Sequence, residues 1–396
     1  MELMQNADAF SLLGAINQQT NQLGSLANSA LSAGIDSYMN KDYKSAIKAF
    51  RRSVGLSPAS EHSVTASNYM ANAYLRLDDV DGAIKAYKTS INLDPFRDDT
   101  HITLGNLYYS KGRYDEAKVE YLEAIRLNPS DNNYYSLGQV YLSMDRFLDA
   151  EKQFENVQRI SPDKPNGKFG LGLALSKQKR SQEAIELFKD AISIKNDFYD
   201  AYAEMGYAYA DMGMMDDAGN LVDFLENKDP TLSDTLSRYM YRVDPPKIKF
   251  AWTASTFPFR SSNRTNVGDI DAYLKNAGAS KTFTMEFLFD KDMDRDSVEK
   301  VYNWSIKRST LNGPGEMYNF GLPVPETEIN VPGFPDSVYY NSDKQTALLT
   351  FTITQNESAD GTLDPSHIEF MFKGKDTYGL KMDPEGDQFT GFSGAA

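Results

Sequence analysis

Apolar side chains recur along this chain with two different periods. From residue 27 to about 230 they fall three and four positions apart, the spacing of helices that bury one stripe. Beyond residue 280 they alternate, the spacing of strands that bury one face. The helical stretch also repeats on a longer scale: prolines stand at 58, 95, 129, 162 and 230, with gaps of 37, 34, 33 and 68, the last being twice 34. Within each period a small residue precedes an alanine by 12 positions: Gly34 and Ala46, Ala71 and Ala83, Gly105 and Ala117, Gly138 and Ala150, Gly172 and Ala184, Gly206 and Ala218. Four residues after each alanine comes a large apolar side chain, in turn Phe50, Tyr87, Tyr121, Phe154, Phe188 and Val222. Small residues at fixed spacing let two antiparallel helices approach, the large side chain fills the space beside them, and proline ends the second helix. One hairpin cannot bury its stripe alone, so the pattern predicts six stacked hairpins over residues 27–243, with TLSDTLSRYMYRV (231–243) as a capping helix.

LGNLYYSKGRYDEAKVEYLEAIRLNP (104–129) and its in-register copies resemble the tetratricopeptide repeat family over about half the chain. The first repeat departs by Ser37 where an aromatic is expected, and the fifth by Asn196 where its proline would fall. The resemblance implies an α-solenoid whose first helices line an inner groove. Counted from the small residue, the next inward position carries Asn72, Asn106 and Gln139 in three consecutive repeats. One turn earlier lie Asn68, Ile102 and Tyr135, and one turn later Arg76, Ser110 and Ser143. A ladder of amides can exchange hydrogen bonds with the backbone of an extended peptide, and Tyr109 and Phe169 would add apolar contacts. The family's clamp for a terminal carboxylate uses lysine at the position of Asn68, so asparagine there argues against that mode.

At Asp244-Pro245-Pro246 the helical period stops. TFTMEFLF (282–289), ALLTFTIT (347–354) and HIEFMFKG (367–374) alternate apolar and polar residues, which predicts an all-β sandwich over 244–396. FLFDKDMDRDSVEKVYNWSI (287–306), followed downstream by DTYGLKMD (376–383), resembles a bacterial Ig-like domain of the surface-layer type over about residues 280–385. The proline-bearing stretch 309–345 reads as an insertion between strands, and IKFAW (248–252) as an edge strand.

Composition narrows the chemistry. A net charge of −15 argues against nucleic acid or an anionic membrane as partner. The absence of cysteine excludes disulfides and thiolate chemistry, and leaves the compartment open. No apolar run reaches the roughly 18 residues of a membrane span, and the N-terminus lacks the basic region of a signal peptide. Three isolated histidines, His62, His101 and His367, read as surface or hairpin-entry residues, and no catalytic constellation or phosphate loop is visible, so no enzyme and no cofactor are expected. Asp290, Asp292, Asp294 and Asp296 could wrap calcium, but Arg295 and Val301 stand where an EF-hand needs glycine and an acid. Residues 1–26, with Leu3, Ala7, Phe10, Leu13 and Ile16 at helical spacing, read as a capping, oligomerising or secretion segment. The expected function is a non-enzymatic scaffold that binds a protein partner, a peptide segment or copies of itself stacked head to tail. The two resemblances imply a bacterial cell-surface or extracellular protein, with a cytoplasmic assembly factor or chaperone-like adaptor for an envelope or appendage complex as the alternative.

Overall fold

A computed structural model describes residues 2–58, 60–252, 255–311, 313 and 315–391, with side chains from Ile16 onward. The chain divides into two compact units, Met1–Ser237 and Arg238–Ala396.

Among its described residues the first unit holds twelve helices in six antiparallel pairs: α1 (Glu2–Met39) with α2 (Tyr43–Leu56), α3 (Glu61–Arg76) with α4 (Val80–Leu93), α5 (Asp98–Ser110) with α6 (Tyr114–Leu127), α7 (Asp131–Ser143) with α8 (Phe147–Ile160), α9 (Pro165–Lys177) with α10 (Ser181–Ile194), and α11 (Tyr199–Asp211) with α12 (Met215–Glu226). A thirteenth helix, α13 (Pro230–Val243), follows, its first turn capped by the Asp229 carboxylate, which accepts from the N–H groups of Thr231 and Leu232. Each hairpin turns through one left-handed residue at the same place, Lys41, Asp78, Gly112, Asp145, Lys179 and Gly213 in order, with φ between 55° and 75°.

The small-residue rule has a definite steric cause. All six alanines of the pattern are completely buried. A Cβ at Gly34, Gly138 or Gly172 would lie 2.5–2.6 Å from the ring of Phe50, Phe154 or Phe188, the aromatic of the same hairpin. Phe154 also presses on Gly170 of the next hairpin, so one ring locks two repeats together. The last repeat departs from the expectation. Val222 is only half-buried, and the space over Gly206 is filled by Leu236 of α13, which is fully buried.

Residues 2–26 are not an element of their own: α1 runs as one continuous helix into the first repeat, and among the described side chains burial begins at Ala27, whose carbonyl accepts from Ser53 Oγ at 2.8 Å. Residues 16–26 are exposed apart from half-buried Gly24. The side chains of Leu3, Ala7, Phe10 and Leu13 lie outside the described residues.

Among its described residues the second unit contains nine strands: β1 (Ile248–Ala251), β2 (Thr265–Asn266), β3 (Ser280–Phe289), β4 (Trp304–Arg308), β5 (Ser337–Asn341), β6 (Thr346–Thr354), β7 (Thr362–Leu363), β8 (Ile368–Phe372) and β9 (Gln388–Phe389). They form an antiparallel sheet in the order β1-β3-β6-β5, a second in the order β4-β8-β9, and the pair β2-β7. The alternation read in the sequence matches burial: Phe283, Met285, Phe287 and Phe289 of β3 meet Leu349, Phe351 and Ile353 of β6 on one face. Rings from the two larger sheets share that core, with Phe287 5.4 Å from Phe370 and 5.6 Å from Trp304 between centroids. β5 lies inside the stretch read as an insertion. The helical turn Arg295–Val298 starts where Asp294 accepts from the Ser297 N–H at 2.8 Å.

Candidate functional site

The first helices of repeats two to four carry the predicted amide ladder. Asn72 and Asn106 are both exposed, and each is held by a tyrosine from the second helix of its own hairpin. The Tyr87 hydroxyl donates to Asn72 Oδ1 at 2.8 Å, and the Tyr121 hydroxyl donates to Asn106 Oδ1. Burial pushes both phenols up to about 12, so they remain donors far above neutral pH. With its oxygen engaged, each exposed amide has its N–H₂ left to donate. The ladder therefore presents donors, whereas the sequence alone suggested groups that both donate and accept. Tyr87 and Tyr121 were missed as part of the site. The signal existed, since tyrosine stands at the aromatic position in the two repeats that have asparagine 15 residues earlier, while Gln139 is followed at that spacing by Phe154.

The remaining predicted residues sort into three groups. Arg76 is exposed and its Nε donates to the Tyr38 hydroxyl at 3.5 Å. Tyr109, Tyr135 and Gln139 are half-buried: the Tyr109 hydroxyl meets Ser143 Oγ of the next repeat at 3.0 Å, and the Tyr135 ring lies 5.4 Å from Phe154. Burial raises the Tyr135 phenol, opposed by its hydrogen bond with Gln139. Asn68 is half-buried, and its Oδ1 is shielded from solvent with no hydrogen-bond partner among the described residues. An acceptor left so costs about 1–3 kcal/mol. Phe169 leaves the set. It is buried in the core, 4.7 Å from Phe198 and 5.9 Å from Phe188 between centroids. In repeats five and six Leu173 and Tyr207 occupy the amide position, so the ladder stops at Gln139.

In the second unit the alternate aspartates do not converge. Asp290 Oδ1 accepts from the Lys247 N–H, Asp292 Oδ1 from Gln345 Nε2, and Asp294 caps the helical turn, while Asp296 is exposed. Among the described residues no group of three or more His, Asp or Glu is placed to hold a metal ion. His101 stands in the first turn of α5, at a hairpin entry, whereas His367 is neither at the surface nor at a hairpin entry, contrary to expectation. His101 is buried with Nδ1 2.7 Å from Glu120, and His367 with Nδ1 2.6 Å from Asp364. His367 Nε2 is engaged by the Gly315 carbonyl, and Ser366 Oγ bonds the far oxygen of Asp364, so the trio lacks the hydroxyl–Nε2 contact of a nucleophilic triad. A buried lysine–aspartate pair was also unforeseen. Lys291 Nζ lies 3.0 Å from Asp376 and donates to the Asp244 carbonyl at 2.5 Å, over the ring of Tyr241 at 4.9 Å.

Comparison with known proteins bears on the helical unit. Residues 68–97, 105–145 and 135–203 match family models described as tetratricopeptide repeats. A small glutamine-rich tetratricopeptide repeat-containing protein 2 of Mycosarcoma maydis is 34% identical over 110 residues, and this chain spans 28% of that relative's length. A tetratricopeptide repeat protein from Parabacteroides merdae is 16% identical, with a TM-score of 0.48 over 55% of this chain and 88% of that one. MamA is 26% identical, with a TM-score of 0.36 over 43% of this chain and 98% of that one.

Proposed function

We infer that the helical unit, which carries tetratricopeptide repeats, is a protein–protein interaction scaffold whose first helices in repeats two to four receive an extended segment of a partner protein. One observation carries this reading: Asn72 and Asn106, exposed at the same position of adjacent repeats, each have the side-chain oxygen engaged by a buried tyrosine, which leaves the N–H₂ group to donate. Donors repeated at one position of successive hairpins suit the carbonyl groups of an extended backbone. Asn68 and Arg76 lie one turn to either side. The second unit, with an Ig-like phrase at 287–306 and two sheets closed over one aromatic core, spaces or attaches the scaffold at a bacterial cell surface. Head-to-tail stacking does not enter this reading, because Leu236 fills the place over Gly206 that a following repeat would need.

The test begins with a partner recovered from the native cell and titrated against purified protein. Asn72→Ala with Asn106→Ala is expected to weaken binding about tenfold. Each alanine also leaves a tyrosine hydroxyl without its acceptor, so the pair is repeated in a Tyr87→Phe/Tyr121→Phe background. The same loss there, with helical circular dichroism unchanged, supports the reading, and equal affinity defeats it. Protease accessibility on intact cells tests the placement of the second unit: a chain wholly protected until lysis contradicts the surface role.

A further inference from the structure

We propose that α1 pairs with α1 of a second copy of this chain, making the protein a homodimer through a seam of Ile16, Leu23 and Leu26. The three side chains are 50%, 37% and 49% exposed, on a stretch, residues 16–26, in which no described side chain is buried. They stand seven and three residues apart, with Gln19 completing the interval. That is the narrow two-in-seven stripe of a helix pairing with one other helix, rather than the broader stripe of a helix lying on a core. The same register continues upstream in the sequence through Leu12 and Ala9.

Charge selects the occupant. From Ala9 to Ile35 there is not one charged side chain, in a molecule of net charge −15. Copies of the charged repeats repel each other, and a partner drawn by opposite charge would find nothing to read on this helix. An uncharged stripe bordered by Asn17, Gln18, Thr20, Asn21 and Gln22 suits its own copy, since each amide both donates and accepts. Residues 16–26 extend about 16 Å along the axis, twice the Debye length of about 8 Å at physiological salt. Paired antiparallel, the segment therefore keeps the acidic repeats beyond most of each other's field. Propensity points the same way. Asn17, Thr20, Asn21, Gly24 and Ser25 are poor helix formers, and an isolated helix of such composition is marginal in water. Packing on a second helix supplies the stability that this stretch lacks alone.

Sedimentation equilibrium of the full chain tests this. The wild type is expected at dimer mass at micromolar concentration, and Ile16→Asp/Leu23→Asp at monomer mass with the melting curve of its repeats unchanged. Asn21→Asp, on the opposite face, is expected to remain dimeric. A monomeric wild type overturns the proposal, as does equal dissociation by Asn21→Asp, which would mark general charge repulsion. A monomeric wild type that binds neutral lipid vesicles through α1 would assign the stripe to a membrane surface instead, and equally overturns the dimer.

Discussion

Replacing Lys291 with alanine is expected to lower the stability of the second unit by about 3–5 kcal/mol. Lys291 is 3% exposed and Asp376 not at all, so removing the ammonium leaves a carboxylate that water cannot reach. Asp376 cannot simply swing out, because its other oxygen accepts from the N–H groups of Tyr378 and Leu380 at 2.9 and 2.8 Å. Lys291 also ties the Asp244 carbonyl, at the entry to the unit, to the loop after β3. The readout is unusually clean. The chain has two tryptophans, Trp252 and Trp304, both in the second unit, so tryptophan fluorescence follows that unit while circular dichroism is dominated by the helices. The variant should unfold at lower urea by fluorescence, with the helical signal little changed. Replacing both partners by apolar residues, Lys291→Met with Asp376→Leu, should recover much of the loss, because no charge is then stranded. A fluorescence midpoint unmoved by Lys291→Ala would mean that the pair is solvated.

The converse experiment targets the repeats. Phe154→Ala is expected to cost the helical unit about 3–5 kcal/mol. The ring is fully buried against Gly138 of its own hairpin and Gly170 of the next, and two glycines cannot collapse into the space it leaves. In a stacked array each hairpin leans only on its neighbours, so the lesion weakens the junction between repeats four and five in particular. Circular dichroism should show an earlier or divided helical transition, with the tryptophan transition in place. A single helical transition at the wild-type midpoint would show that Phe154 does not join the two hairpins.

These two sites mark what the sequence reveals and what it conceals. Phe154 was legible because repeats impose the same steric demand at a fixed interval, and six copies make the interval visible. β3, β6 and β8 were legible for a related reason: burying one face forces strict alternation. β5 was not, because an edge strand buries little. Of its five residues only Tyr340 is buried, so its alternation hardly differs from that of a loop. Val222 was misassigned because the last repeat borrows its filling side chain from α13, outside the repeating unit. Phe169 was misread for the opposite reason. The same position is only half-buried in repeats two to four, at Asn68, Ile102 and Tyr135, but here Phe198, from the turn before α11, covers it.

Polar partnerships were the least legible. Lys291 sits among four aspartates and reads as one charge in a solvated run, yet its partner is 85 positions away. Glu120 of His101 is likewise distant in sequence, whereas Asp364 stands three residues before His367 and could have been suspected. The amide ladder falls between these cases. The residues were found from the repeat register, but the direction of their hydrogen bonds depends on Tyr87 and Tyr121, and only the folded hairpin brings those against them.

That direction gives the most direct test of the scaffold. Asn72→Asp with Asn106→Asp keeps an oxygen to accept from each tyrosine and replaces the N–H donors with carboxylate oxygens. If those amides donate to a partner's backbone carbonyls, affinity measured by titration calorimetry should fall further than in the alanine pair, by about another tenfold. Affinity equal to or tighter than wild type would contradict the account, because the partner would then be offering donors to this face or not touching it.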